Sequence, residues 1–194
     1  IPAEEIVEVA ERHKIPVLED TAQSCGGRLN GKALGTFGKV GVFSFDSVKT
    51  LTTGEGGIIL TDDEKLYVRA SEYHDHGHDH NPNLPRGLEK RNFVGLNYRM
   101  MELQGALGLA QLRKLEGVIL ANQRKNKARI KEALSRIDRV TFRNVLDPKG
   151  DTATFVIFLL PTAEKAKEFN RVMAGEGCGA VYWHDNYWHY YEEW

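Results

Sequence analysis

Ile15-Pro16-Val17-Leu18-Glu19-Asp20 is a short apolar run closed by two acids, and it decides the architecture. Four apolar residues in succession, without polar alternation, predict a strand buried on both faces, as in a parallel sheet. Open α/β sheets take their ligands beyond the carboxyl ends of such strands, where Glu19 and Asp20 stand. Upstream, Pro2 at a first helical turn and Ile6, Val7, Val9 and Ala10 at helical spacing predict a helix ending near His13-Lys14. Downstream, Gly26, Gly27, Gly31, Gly35 and Gly38 punctuate a loop, and Val40-Gly41-Val42-Phe43-Ser44-Phe45 and Gly57-Ile58-Ile59-Leu60-Thr61 predict two further strands.

Thr61-Asp62-Asp63-Glu64 reads as a helix start, with acids in the first turn. A long polar stretch with Pro82 and Pro85 lies between His74 and Arg99, and connections of that length are usually functional or disordered. Residues 102–137 predict one long amphipathic helix, or two joined near Gly117. The last third changes rhythm: strands at 140–142 and 154–160, a turn around Asp147-Pro148-Lys149-Gly150, and a helix over 161–174 capped by Thr162 and Gly175. The expected organisation is α/β over 1–116, then a linking helix and a small α+β domain over 117–194.

Basic and acidic residues nearly cancel, at 26 against 27, so no global field draws the chain to nucleic acid or an anionic membrane. No apolar run approaches the roughly 20 residues of a membrane span, and the first residues do not resemble a signal peptide. Only Cys25 and Cys178 are present, too few for a disulfide framework. A soluble, globular, cytoplasmic protein is expected.

Lys49 follows a predicted strand directly and precedes Thr52-Thr53-Gly54-Glu55-Gly56-Gly57. A lysine beside a sheet edge, in a glycine-rich loop that can close on a ligand, suits Schiff-base chemistry. A lone lysine there could equally be a surface residue in a turn, and Glu19-Asp20 alone could be a helix cap or a metal-binding pair. Together they fit a pyridoxal phosphate site, because a bound pyridine ring needs an acid at its nitrogen to stay protonated.

Glu19-Asp20-Thr21-Ala22-Gln23-Ser24, Ser44-Phe45-x-x-x-Lys49, Gly54-Glu55-Gly56-Gly57 and Gly95-Leu96-Asn97-Tyr98-Arg99-Met100 occur in this order. This set resembles the DegT/DnrJ/EryC1/StrS family of sugar aminotransferases. The resemblance implies fold type I, the architecture of aspartate aminotransferase: part of a large mixed or parallel-sheet domain plus a small C-terminal α+β domain. It further implies a homodimer with sites at the interface, pyridoxal 5'-phosphate as cofactor, and a sugar and an amino-acid donor as substrates. By motif, Asp20 would pair with the pyridinium nitrogen and Gln23 would meet the 3-hydroxyl face of the ring. Ser44 would bind the phosphate, Lys49 would hold the cofactor as a Schiff base, and Asn97 would reach the phosphate of the neighbouring subunit's cofactor. His76-Gly77 also matches the family, without a catalytic role.

Two features depart from the family. Asp46 stands where its Ser-Phe-His segment has histidine, and the chain is about half the family's length. The family's N-terminal part, with its phosphate-binding Gly-Thr segment and the ring that stacks on the cofactor, does not appear before Asp20, so a fragment is expected.

Tyr73-His74-Asp75-His76-Gly77-His78-Asp79-His80 could bind zinc or nickel, but without a second ligand segment no metal site is expected. Alternatively this loop could line an acceptor pocket. It and the aromatic tail Trp183-His184-Asp185-Asn186-Tyr187-Trp188-His189-Tyr190-Tyr191 resemble the family branch that makes 8-amino-octulosonate for lipopolysaccharide. The competing readings are a sugar dehydratase, whose branch carries histidine in place of Lys49, and a metal-binding or regulatory module built on the His loop.

Overall fold

The computed structural model describes residues 1–85 and 87–187. Helix α1 (Ala3–Arg12) ends where Lys14 turns left-handed at φ 55°. Its Ala3 packs with Leu29 and Phe37, with Val7 and Leu34 against them, in a small apolar core. Strand β1 covers Leu18–Asp20, three residues later than the apolar run begins. Pro16 explains the shift: it has no N–H to give a neighbouring strand. Val17 already contributes its carbonyl, which accepts from Lys39 N at 2.8 Å.

A two-residue hairpin, β2 (Arg28–Leu29) with β3 (Lys32–Ala33), leads to β4 (Val40–Ser44) and β5 (Gly57–Leu60). The sheet order is β1-β4-β5. β1 and β4 are parallel, with Leu18 opposite Val40 and Asp20 opposite Val42, whereas β5 returns antiparallel, with Ser44 opposite Gly57. The sheet is therefore mixed, and the segment from Ser44 to Gly57 is an elaborate hairpin connection. Burial on both faces does not hold among the described residues: Leu18 is 60% and Ile59 55% exposed.

Helix α2 (Glu64–His74) starts on Asp63, whose carboxylate accepts from Leu66 N at 3.1 Å. The predicted long helix is three pieces: α3 (Glu102–Leu112), a π-helical turn Leu115–Leu120, and α4 (Ala121–Leu134). Gly117 lies within the π turn. The wide turn brings Leu115 and Leu120, five residues apart, to one buried side, where both meet Gly26.

The chain forms two compact units, one of Ile1–Lys125 with Val145–Thr154, the other of Asn126–Asn144 with the chain from Phe155 onward. In the first, Asp147 closes its own turn by accepting from Lys149 N and Gly150 N, both 3.0 Å, and reaches Asn30 N at 2.9 Å. In the second, β6 (Thr141–Phe142) pairs antiparallel with β7 (Phe158–Leu159), and Phe158 meets Phe142 and Phe169 edge-on. Helix α5 (Ala163–Gly175) starts on Thr162, whose hydroxyl accepts from Lys165 N. Gly175 is still helical, and Gly177, at φ 72°, takes the left-handed position expected of it. Of the aromatic tail, residues from Trp188 on lie outside the described residues. Among the described residues no helix is long and apolar enough to cross a membrane.

Candidate active site

Adjacent residues of a strand point to opposite faces, so Glu19 and Asp20 cannot share one task. Glu19 turns toward the loop between β3 and β4. Its Oε1 accepts from Phe37 N at 2.5 Å and Gly38 N at 2.7 Å, and its Oε2 from Gly35 N at 2.8 Å. With three backbone amides on it, this carboxylate is committed to holding a loop. Asp20 faces the other way and is exposed, and among the described residues only its Oδ1 is engaged, by Ala22 N at 3.0 Å. One edge of the Asp20 carboxylate therefore stays open to a donor outside the chain.

The turn after β1 is locked by Thr21, whose backbone N–H and hydroxyl both donate to Val42 O. Gln23 stands exposed in that turn. Because Asp20 is opposite Val42, Ser44 lies two residues further along the neighbouring strand, on the same face as Val42. Strand geometry separates the Asp20 and Ser44 Cα atoms by roughly 8 Å. The Ser44 hydroxyl accepts from Asp46 N at 3.4 Å, and among the described residues its proton has no acceptor, so it can donate to a ligand.

Lys49 is half-buried in the tip beyond Ser44. The tip starts as a turn, with Lys49 N donating to Asp46 O at 3.0 Å. The Asp46 carboxylate accepts from Ser47 Oγ at 2.8 Å and Val48 N at 3.4 Å. The Ser47 hydroxyl, chiefly, holds the Asp46 carboxyl below its ordinary value, with smaller help from the Val48 and Ser47 amides and the Lys49 charge. Asp46, where the family has histidine, is thus the cap of the lysine's own turn.

Asn97 is carried by a different segment. Residues 95–98 lie along the end of α2, with Leu96 N donating to Tyr73 O, Tyr98 N to His74 O and His76 N to Leu96 O. The close approach needs two glycines: a Cβ on Gly77 would stand 2.0 Å from Phe93 O, and one on Gly95 would stand 2.3 Å from Gly77 N. That contact is what His76-Gly77 and Gly95 contribute, with His76 itself left-handed at φ 60°. The Asn97 Oδ1 accepts from Arg99 Nε at 3.1 Å, and Arg99 Nε is also 3.4 Å from the buried Asp75 Oδ1. An arginine only donates, so Asn97 presents its Nδ2 amide outward, with no partner among the described residues.

In the His loop, His78 has one partner and His74 and His80 share another. His78 Nδ1 lies 3.0 Å from Glu89 Oε1, both side chains buried, while His74 Nδ1 and, at 3.4 Å, His80 Nε2 meet Ser71 O. Among the described residues, no three His, Cys, Asp or Glu side chains stand in metal-ligating geometry.

The structure thus sets Asp20 and Ser44 at the carboxyl ends of two parallel strands, with Gln23 and Lys49 in the loops that follow them, and none of Asn97's described contacts is with those four. An acid with an open edge, a hydroxyl with a free proton and a lysine in a pinned turn fit a phosphorylated pyridine aldehyde. Glu19's separate duty was not read from the sequence, although strand alternation carried the signal.

Residues 2–192 match the DegT/DnrJ/EryC1/StrS aminotransferase family. The chain is 39% identical over 119 residues to the GDP-perosamine synthase of Escherichia coli O157:H7, covering 60% of this chain and 30% of that protein. It is 37% identical over 142 residues to the GDP-4-keto-6-deoxy-D-mannose 3-dehydratase of Yersinia pseudotuberculosis, covering 67% of this chain and 36% of that protein. Among solved structures, the aminotransferase TlmJ of Streptoalloteichus hindustanus superposes with a TM-score of 0.79 at 26% identity, over 90% of this chain and 46% of TlmJ. The chain spans about a third of the matched curated relatives and about half of the matched solved chain. Its architecture is the mixed α/β fold of fold type I pyridoxal-phosphate-dependent transferases. The chain belongs to the DegT/DnrJ/EryC1/StrS aminotransferase family.

Proposed function

We propose that this is a pyridoxal-phosphate-dependent aminotransferase carrying an amino group from an amino acid, glutamate, to the keto or aldehyde carbon of a sugar. The observation that carries this reading is the β1–β4 register, with Asp20 opposite Val42 and therefore beside Ser44 and the Lys49 turn. When bound, the cofactor supplies an aldehyde for the lysine and an electron sink that acidifies the carbon bearing the amino group.

Every other task falls to the chain. Asp20 keeps the ring nitrogen protonated, and Gln23 meets the 3-hydroxyl face. The Ser44 hydroxyl donates to the phosphate. Lys49 Nζ would be the amine that holds the cofactor's aldehyde and, when free, would move the proton at the donor's α-carbon. The same residues serve both half-reactions, so the kinetics are ping-pong.

Asn97 Nδ2 completes the phosphate site of a neighbouring subunit in a homodimer. Exposed apolar residues around it support an interface: Val94 is 88%, Tyr98 65%, Met101 63% and Leu103 78% exposed. The names of the sugar-modifying relatives favour a nucleotide-linked ketosugar as acceptor, with 8-oxo-octulosonate second. We place the enzyme in the cytoplasm, where thiols such as Cys25 and Cys178, both unpaired, persist.

A dehydratase is among the relatives, but Lys49 stands where that branch has histidine, which favours amino transfer. The test incubates the full-length, cofactor-loaded protein with glutamate and a panel of nucleotide-linked ketohexoses and 8-oxo-octulosonate. Aminated sugar and 2-oxoglutarate in equal amounts are expected, with Asp20→Asn slowing turnover at least 100-fold, or about 3 kcal/mol of barrier. Loss of a sugar hydroxyl without amine transfer would establish the dehydratase instead.

A further inference from the structure

The far side of the Lys49 turn is fixed from outside the turn itself. Between Ser44 and Gly57 the chain first continues the hairpin: Phe45 N donates to Gly56 O at 2.8 Å, and Thr53 N to Phe45 O at 2.9 Å. Residues 46–52 then stand out as a separate excursion that carries the lysine at its centre. Its return limb is held at three consecutive positions. The Thr50 hydroxyl lies 3.3 Å from that of Thr154, Leu51 is 2% exposed, and Thr52 is gripped by α3.

The grip on Thr52 comes from one side chain. Gln111 Nε2 donates to Thr52 O at 2.5 Å, and Gln111 Oε1 accepts from Thr52 N at 3.2 Å. A single carboxamide thus satisfies both backbone polar groups of one residue, as a neighbouring strand would. Gln104, seven residues earlier, donates from Nε2 to Glu55 O at 2.8 Å, while its Oε1 accepts from Met101 N at 2.9 Å. Gly108 lies between them on the same helical face, and a Cβ there would stand 3.0 Å from Thr53 Cγ2. The stripe Gln104, Gly108, Gln111 is therefore docked on the backbone of residues 52–55. Apart from Glu102 in its first turn, these two glutamines are the polar residues of α3, and both are turned toward the lysine loop.

We propose that Gln111 is a positioning residue for Lys49, with Gln104 as a weaker second hold. Clamping both polar groups of Thr52 leaves the excursion one backbone path, so Lys49 Nζ is delivered to one place. Gln111 touches neither substrate nor cofactor; it acts through the loop. This inference rests on the reading of Lys49 as the reactive amine.

The test uses the full-length enzyme. Borohydride reduction and peptide mapping of the wild type establish first whether the cofactor is attached at Lys49; attachment elsewhere overturns the Lys49 reading and this inference with it. With that attachment in place, Gln111→Leu strands the Thr52 N–H and carbonyl without their partner. Because a reacting group displaced by about 1 Å can lose about 100-fold in rate, kcat should fall by about 10- to 100-fold. KM for both substrates should stay within about threefold. The rate at which cofactor-free protein captures added pyridoxal phosphate as its visible absorbance band should fall in parallel, and Gln104→Leu should do the same more weakly. Should Gln111→Leu not fold, Gln111→Glu serves, because it keeps the acceptor for Thr52 N–H and sets a charge against Thr52 O. Folded variants with kcat and capture rate within about twofold of wild type, or losses confined to melting temperature, overturn the proposal while leaving Lys49 as the attachment site.

Discussion

Replacing Glu19 by Gln keeps the shape of the side chain and removes its charge. In the structure Oε1 serves Phe37 N and Gly38 N and Oε2 serves Gly35 N, so three backbone donors share one carboxylate. An amide offers one oxygen. If that oxygen stays on Phe37 and Gly38, the amide NH2 faces the Gly35 N–H, and one backbone donor is left against another. Bonds to a charged group contribute about 1.5–3 kcal/mol and neutral ones about 1. Weakening two and stranding one donor therefore costs about 2–7 kcal/mol. Asp20→Asn, on the opposite face of the same strand, keeps an oxygen for its single bond to Ala22 N and should cost under about 1 kcal/mol. Urea unfolding of both full-length variants, beside their turnover, gives the contrast. Glu19→Gln should lower the unfolding midpoint and Asp20→Asn should not, while Asp20→Asn should lose turnover far more severely. A wild-type midpoint for Glu19→Gln, or equal losses of stability in both variants, would refute the division of labour between these neighbours.

Gly77→Ala sets a Cβ 2.0 Å from Phe93 O at a φ of 78°, so the 93–98 segment must move off α2. A loss of about 2–4 kcal/mol is expected from the displaced backbone and the left-handed strain. Cofactor affinity, read by equilibrium titration, should weaken with it; unchanged stability would mean the segment is not held by this contact. Mixing Lys49→Ala subunits with Asn97→Leu subunits should restore activity in heterodimers, in one site per dimer. Demonstrated exchange without recovery would confine Asn97 to its own subunit.

Much of the placement of the candidate residues could be read from the sequence because the elements that carry them are local. The acids closing an apolar run, the lysine just past a strand and the polar residues of the turn after β1 each follow from chain order and strand direction. Where reading fell short, the cause is an interaction between distant residues. Glu19-Asp20 reads as one acidic pair until Gly35, Phe37 and Gly38 come back to claim Glu19. The antiparallel return of β5 depends on Phe45 pairing with Gly56, which no periodicity announces. The stretch from His74 to Arg99 reads as a long polar loop, whereas Gly77 and Gly95 touch each other across 18 residues. Gln104 and Gln111 carried a signal in their spacing of seven on an apolar helix, but their target, the backbone beside Lys49, is visible only in three dimensions. Gly117, where one of the two helical readings sets a junction, falls in a π turn, a local geometry that hydrophobic spacing alone does not separate from a kink.

The most direct measurement is the covalent address of the cofactor. Full-length protein loaded with pyridoxal phosphate, reduced with borohydride and digested should yield one phosphopyridoxyl peptide, modified at Lys49. The Lys49→Ala protein should give none and should not transfer an amino group from glutamate. A label on any other lysine, or turnover that survives Lys49→Ala, would contradict the assignment of Lys49 and the site built around it.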